Sequence, residues 1–319
     1  MKRTLSNILN LKLTCLGKEI STKEVITFKK FLNSLRDSYI VFRCLDDRYL
    51  NKQYCASTEN INVLSKHVFL YGDKGKIFYD DLDQKMYNID INDFGAKESS
   101  YIYDKIQKIF IKNDISSSKT KEYIKSFNTK EIAFVSFWRK ITKAQWSKMI
   151  SGLTKEDKIK VKDYYIALLH TVGLAGYGRN SYFLSTSLSP SIDKIMDMNY
   201  SVEIVGWTSK KDINKYGKDF FQNKNSEIKA LGFPIISNAV FPTQKEITYK
   251  CGILPHFIIG YIYNQGKNFE INPCMFKIQD FSTVSKIGLP VDQSEFYKKL
   301  NQTNYKSTYI YMDDLFFQI

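Results

Sequence analysis

The amino-acid sequence predicts a mixed α+β fold, and three observations carry that reading. Runs rich in β-branched and aromatic residues occupy 37–45 and return repeatedly through 182–276. Between them, 155–172 repeats apolar residues at helical spacing. No internal repeat or long low-complexity tract is present, which argues against a solenoid.

The first strand, 37–45, reads D-S-Y-I-V-F-R-C-L and carries Arg43 near its end. Acids then lead through 72–104, among them Asp73, Asp80, Asp81, Asp83 and Asp104, and predict a solvated, partly stranded surface. After Ser116-Ser117-Ser118 the sign of the charge inverts: over 116–163, twelve Lys or Arg stand against five acids. Tyr123, Phe127, Phe134, Phe137, Trp138 and Trp146 lie among these cations. Such a mixture is used to hold nucleic acid, by stacking on the rings and pairing with phosphate. It arises equally in a helical subdomain with rings inside and lysines outside, and the sequence leaves both open.

Thr154 with Asp157 behind it reads as a helix N-cap with an acid in the first turn. Val161, Tyr164, Tyr165, Leu168 and Val172 continue at helical spacing, so one helix is expected over 155–172. A glycine-rich turn at 173–178 leads into a strand at 182–187, Y-F-L-S-T-S. Ser189-Pro190 starts another helix, because proline is tolerated at the first helical position and serine caps it. Further strands are expected at 201–206, 246–251, 256–263 and 268–276.

A chain of 319 residues suits one or two domains. With 43% hydrophobic residues, 22 Phe and 22 Tyr, it has the surface to bury a core. Lys and Arg outnumber acids by 47 to 33, a net charge of +14 that favours a polyanionic partner. An AT-rich coding sequence, which inflates Lys, Ile, Asn and Tyr together, would give a similar composition. The five cysteines, Cys15, Cys44, Cys55, Cys251 and Cys274, form no CxxC pair and have no histidine at ligand spacing. Neither a metal site nor a disulfide framework is therefore indicated. The start of the chain lacks the apolar core of a signal peptide, and no run reaches the length of a membrane span. A cytoplasmic protein without membrane attachment is expected.

Three short motifs follow in order: Phe42-Arg43 at a strand end, Ser185-Thr186-Ser187 on a strand, and Gln244-Lys245-Glu246 opening a strand. This set resembles the arginine-serine-glutamate class of mono-ADP-ribosyltransferases, which includes cholera-like, clostridial and vertebrate ecto-enzymes. L-S-T-S-L-S-P-S-I keeps the family's succession of apolar strand, S-T-S and helix start. The resemblance covers the strand up to Arg43 and most of 173–276. It implies one transferase domain over 1–319, with two small, roughly perpendicular sheets clasping NAD, helices on one side and an insertion at 51–151.

The resemblance also implies roles. Cleaving the bond between nicotinamide and ribose develops an oxocarbenium-like centre, so a carboxylate beside the sugar, Glu246, would stabilise it. Arg43 would grip the pyrophosphate with its planar fork of donors. Its separation from Ser185 is longer than the family usually shows, and Arg139, after Phe137-Trp138, is the alternative. Ser185 would orient the glutamate, with Thr186 and Ser187 supporting the NAD site. Gln244, two residues before Glu246, would present an amide to the acceptor if the extended chain begins there. Phe233 and Phe241, in the loop ahead of it, would recognise the target, although simple core packing accounts for both rings equally well. The histidines His67, His170 and His256 attract no catalytic role.

NAD is thus the expected co-substrate, with no metal. In this family, glutamine at the position of Gln244 accompanies asparagine, glutamine or nucleobase acceptors. A nucleobase, in RNA ahead of DNA, is the favoured acceptor. Such a toxin would need a neutralising antitoxin partner, as in phage-defence systems. The alternatives are a protein side chain, as with clostridial Rho-modifying exoenzymes, and an inactive nucleic-acid-binding module.

Overall fold

A computed structural model describes residues 7–35, 38–47, 50–51, 59–73, 94–172, 183–188, 190, 202–209, 220–240, 246–250, 253 and 257–276. The chain divides into two compact units: Met1–Leu82, Leu184–Gly217 and Lys245–Ile319 form the first, Asp83–Phe183 and Lys218–Gln244 the second. The second unit starts later and runs further than the expected 51–151 insertion. The cause lies in what the flanking helices cover: one near residue 65 packs on the sheet, and the long helix after Thr154 joins the helical core.

The first unit is built on one open, mixed sheet of eight strands. These are β1 (Lys12–Cys15), β2 (Lys18–Glu19), β3 (Ser38–Leu45), β4 (Phe183–Ser187), β5 (Val202–Ser209), β6 (Glu246–Lys250), β7 (Ile258–Tyr263) and β8 (Asn268–Ile271). Their spatial order is β2-β1-β8-β7-β5-β3-β4-β6. The β1–β8 pairing is parallel, while β1–β2, β8–β7, β7–β5, β5–β3 and β3–β4 are antiparallel. The mixed α and β content is as expected, but the described strands join a single sheet in place of two. The β5–β7 ladder is what makes it continuous. Its register shifts between Val205 and Gly206, and such a bulge bends the strand and increases local twist without ending the pairing.

The strand expected at 268–276 stops at Ile271, and Pro273–Phe276 turns into a 3-10 helix. Proline has no N–H for a ladder, and Asn272 instead ties the turn to β7 through Ile258 and Ile259. The acidic stretch also differs from expectation. Its end forms helix α3 (Ala96–Ile106), after α1 (Thr22–Ser34) and α2 (Ile61–Tyr71), and a π-turn at Gln107–Ile111 extends it. Ile102, Ile106, Ile109 and Phe110 are fully buried, so helical apolar spacing prevails over the acids between them. The helix expected from Ser189-Pro190 and the glycine turn at 173–178 lie outside the described residues.

Across one face of the sheet a row of residues stands in register: Arg43 opposite Ile204, Ile204 opposite Tyr261, Tyr261 opposite Glu270, and Glu270 opposite Thr14. Helix α2 lies over this row. Its Ser65 hydroxyl is 2.7 Å from the Tyr261 hydroxyl, and Phe69 packs on the Tyr261 ring at 5.6 Å. Glu270 is fully buried; it accepts from Thr14 Oγ1 at 2.6 Å and from Gly17 N at 3.0 Å. Leu16 and Gly17 both have positive φ, the two-residue turn that matches the twist of a β-hairpin, and Glu270 accepts from the turn's Gly17 N–H. Burial, with Glu270 and Glu24 nearby, pushes the Cys15 thiol up to about 12, which keeps it from acting as a thiolate at neutral pH.

Burial raises the Glu270 carboxyl above its ordinary value of 4.5, against the opposing effect of its hydrogen bonds. A group raised on folding contributes stability in full below the unfolded value and loses it as pH rises through the folded one. Urea titrations from pH 4 to pH 8 are therefore expected to show wild type losing stability relative to Glu270→Gln as pH rises. A constant difference, or one of opposite slope, would contradict a raised Glu270.

The second unit is helical. After α3 come α4 (Ser118–Lys130), α5 (Ile132–Lys140), α6 (Lys143–Ser151), α7 (Lys155–Thr171) and α8 (Phe220–Ala230). Thr154 caps α7 by accepting from Asp157 N, as its sequence predicts. Four aromatic rings of the basic stretch lie in the core, while Tyr123 and Phe137 are half-buried. Phe110 packs on Phe127 and Phe134, Phe134 on Trp138, and Trp138 on Trp146 at 4.8 Å. Each such pair contributes about 0.5–1.5 kcal/mol beyond its buried area. Phe127, Phe134, Trp138 and Trp146 are buried, so these four rings belong to a helical core, and the lysines of 119–148 lie outside it while Lys162 is buried in α7.

Candidate active site

Arg43 sits on β3, with S-T-S on β4 beside it, and Glu246 is the first residue of β6 on the far side of β4. Three motifs scattered along the chain thus fall on three consecutive strands. At the usual spacing of about 4.8 Å, the outer two are roughly 10 Å apart. The register pairs Phe42 with Ser187. Side chains alternate along β4, so Ser185 and Ser187 share one face and Thr186 takes the other.

The Arg43 guanidinium is held from two sides. Its Nη1 donates to the Ser185 carbonyl at 2.9 Å, linking β3 to β4, and its Nε donates to Asp73. Asp73 follows Gly72, whose positive φ ends α2. The Asp73 backbone makes both bonds of a bridge to Ile253, at 2.9 and 3.0 Å, and the residue is fully buried. Asp73 therefore reaches Arg43 from a fixed point rather than from a solvated acidic surface, as its neighbours in sequence suggested. Nothing local in sequence marks it: its partner is 30 residues away, and the pairing exists only once α2 has packed on the sheet.

Of the three S-T-S residues, Thr186 and Ser187 are buried, at 3% and 2% exposure, while Ser185 is half-buried. Ser185 is thus the most exposed of the three. Cys44, next to Arg43, donates from Sγ to Glu203 Oε1 on β5 at 3.5 Å. Arg139, the alternative phosphate ligand, lies exposed in the last turn of α5, on a helix of the other unit. Arg43 stands on a strand, Arg139 on a helix.

The loop ahead of β6 is pinned within the helical unit. Phe233 is 3% exposed and meets the Trp146 ring edge-on at 5.4 Å, the core role that was one of its two readings. Tyr165 donates to the Pro234 carbonyl at 2.7 Å, and Ile236 N donates to Tyr164 at 2.8 Å. Buried Glu131 accepts from Ser237 N, Asn238 N and Asn238 Nδ2 at 2.9, 2.7 and 2.6 Å. Charge-assisted bonds to backbone N–H groups are among the stronger ones available, so this carboxylate holds the loop. Sequence reading passed over Glu131, because an acid between two helices ordinarily reads as a cap. Gln244, Phe241 and the side chain of Glu246 lie outside the described residues, as do His256 and the side chain of His67; His170 is buried in α7.

Among the described residues no group of His, Cys, Asp and Glu is arranged to hold a metal ion, and no described helix is long and apolar enough to cross a membrane. No protein family, curated protein or solved structure matches the chain.

Proposed function

We propose that the chain is an NAD-dependent mono-ADP-ribosyltransferase that modifies a nucleobase, in RNA ahead of DNA. The observation that carries this is the placement of Arg43, Ser185 and Glu246 on β3, β4 and β6, three neighbouring strands of one sheet. Order along the chain and adjacency in space are independent properties, and the three motifs satisfy both.

In this reading Arg43 directs N–H donors at the pyrophosphate of NAD, and its clamp by Asp73 and Ser185 sets their direction. The bond between ribose C1′ and nicotinamide breaks, and nicotinamide leaves neutral with the electron pair. The carboxylate of Glu246 stabilises the positive charge left on the sugar. An exocyclic amine of the acceptor base attacks C1′ and loses a proton, and Gln244 orients that amine. Target recognition falls to Gln244 and Phe241, since Phe233 is spent in the core. The finer architecture that goes with this chemistry is an NAD cleft between two differently inclined parts of the sheet. The bulge at Val205 and Gly206 is the natural place for such a change of direction. A cytoplasmic enzyme acting on its own cell's nucleic acid also requires a neutralising protein partner.

The test is transfer of label from adenine-labelled NAD to RNA, single-stranded DNA or cell lysate, followed by nuclease or protease. Label removed by nuclease and resistant to protease is expected. Label that survives nuclease and is lost to protease would move the acceptor to a protein side chain. No transfer together with no nicotinamide release would reject the enzyme altogether.

A further inference from the structure

We infer that the outer surface of α4, α5 and α6 is a phosphate-binding face that takes the backbone of nucleic acid without stacking its bases. Residues 118–148 contain eight cations and two acids, Glu122 and Glu131. All eight cations are exposed, whereas Glu131 is buried and bonded to Ser237 and Asn238. Glu122 is thus the one exposed acid of these three helices.

An ordinary solvated helix interleaves both signs, and this unit has such helices. In α3, Lys97 and Lys105 share the surface with Asp104, and α7 opens with Lys155, Glu156, Asp157 and Lys158. Composition bias toward lysine would act on all of these alike, so it does not explain why 118–148 shows eight exposed cations and one exposed acid. Lys121 and Lys125 are one helical turn apart on α4, and Lys130 and Lys140 end α4 and α5, where cations also complement the helix dipole. Phe127 of α4 and Phe134 of α5 meet at 6.0 Å, which joins the two helices into one packed body.

The mode of binding follows from where the rings are. A single-strand platform needs exposed aromatic faces. Here Trp138 and Trp146 are fully buried, and Phe137 is turned edge-on against Trp138 at 5.7 Å. Tyr123 and Phe137 are half-buried and no aromatic ring of these helices is exposed, so the charges the face offers are eight cations against Glu122. Such cations recognise phosphates and carry no base information. Sequence selection, on this view, is left to the transferase site. The inference deepens the proposed nucleic-acid acceptor and rests on it for its purpose, but its test does not depend on catalysis.

The experiment measures binding of the full chain to a labelled 20-nucleotide RNA and to a duplex of equal length, without NAD, between 50 and 200 mM salt. Four phosphate contacts predict a loss of affinity of about 50- to 150-fold over that range. Replacing Lys121, Lys125, Lys130 and Lys140 together by glutamine is expected to remove most of that salt dependence. The same variant should keep the wild-type helical circular dichroism and nicotinamide release. Tryptophan emission should stay unchanged on binding. Salt-insensitive binding by wild type, or unchanged binding by the fourfold variant, would overturn the phosphate face, and quenched emission would overturn the absence of stacking. Binding that behaves as described in a protein that never cleaves NAD would leave this surface standing and remove the enzyme reading.

Discussion

Glu246→Gln is expected to slow nicotinamide release from NAD by about 10²–10³-fold, the usual loss when one group stabilising transition-state charge is removed. The side chain keeps its size and loses only its charge, so β6 should pair as before. The effect should fall on kcat with little change in the KM for NAD, because the positive charge exists only as the glycosidic bond breaks. Gln244→Ala provides the contrast. Release measured without acceptor should stay within a few-fold of wild type, while transfer to nucleic acid is lost. Equal loss of both activities in the two variants would mean that the Q-x-E motif does not divide its labour in this way. Wild-type release by Glu246→Gln would remove Glu246 from the reaction.

Asp73→Ala is expected to destabilise the fold by about 3–5 kcal/mol, because it leaves a charged partner without its counter-ion in a water-poor setting. The Asp73 side chain is fully buried and that of Arg43 is 17% exposed, so solvent can do little to replace the lost carboxylate. The double variant Asp73→Ala with Arg43→Met should recover part of the loss, since no orphaned guanidinium remains. Urea unfolding of the two single variants and the double variant measures this. An Asp73→Ala midpoint equal to that of wild type would show the pair to be worth no more than a surface salt bridge. The consequence for function is that Arg43 depends on α2: any change that loosens α2 from the sheet also releases the guanidinium from its set direction.

The elements legible in the sequence are those whose pattern is local. The strand around Arg43 and the helix capped by Thr154 appear within a residue or so of where their periodicity places them. The strands bearing S-T-S and Glu246 do so as well. The misreadings share one cause, competition from partners distant in the chain. The tail of the acidic stretch became α3 because Ile102 and Ile106 found an apolar core. Phe233 was open to two readings until Trp146 supplied a packing partner 87 positions earlier in the chain, at a ring distance of 5.4 Å.

What the amino-acid order determined alone was the kind of each segment and the succession arginine, S-T-S, Q-x-E, since these depend on side chains a few positions apart. Only the tertiary structure decided that the three motifs lie on adjacent strands, that Asp73 and Ser185 hold Arg43, and that Phe127, Phe134, Trp138 and Trp146 turn inward while the lysines of 119–148 turn out. Those outcomes rest on long-range pairing and burial. Both are set by the whole chain's competition for contact and water, which no window of sequence contains.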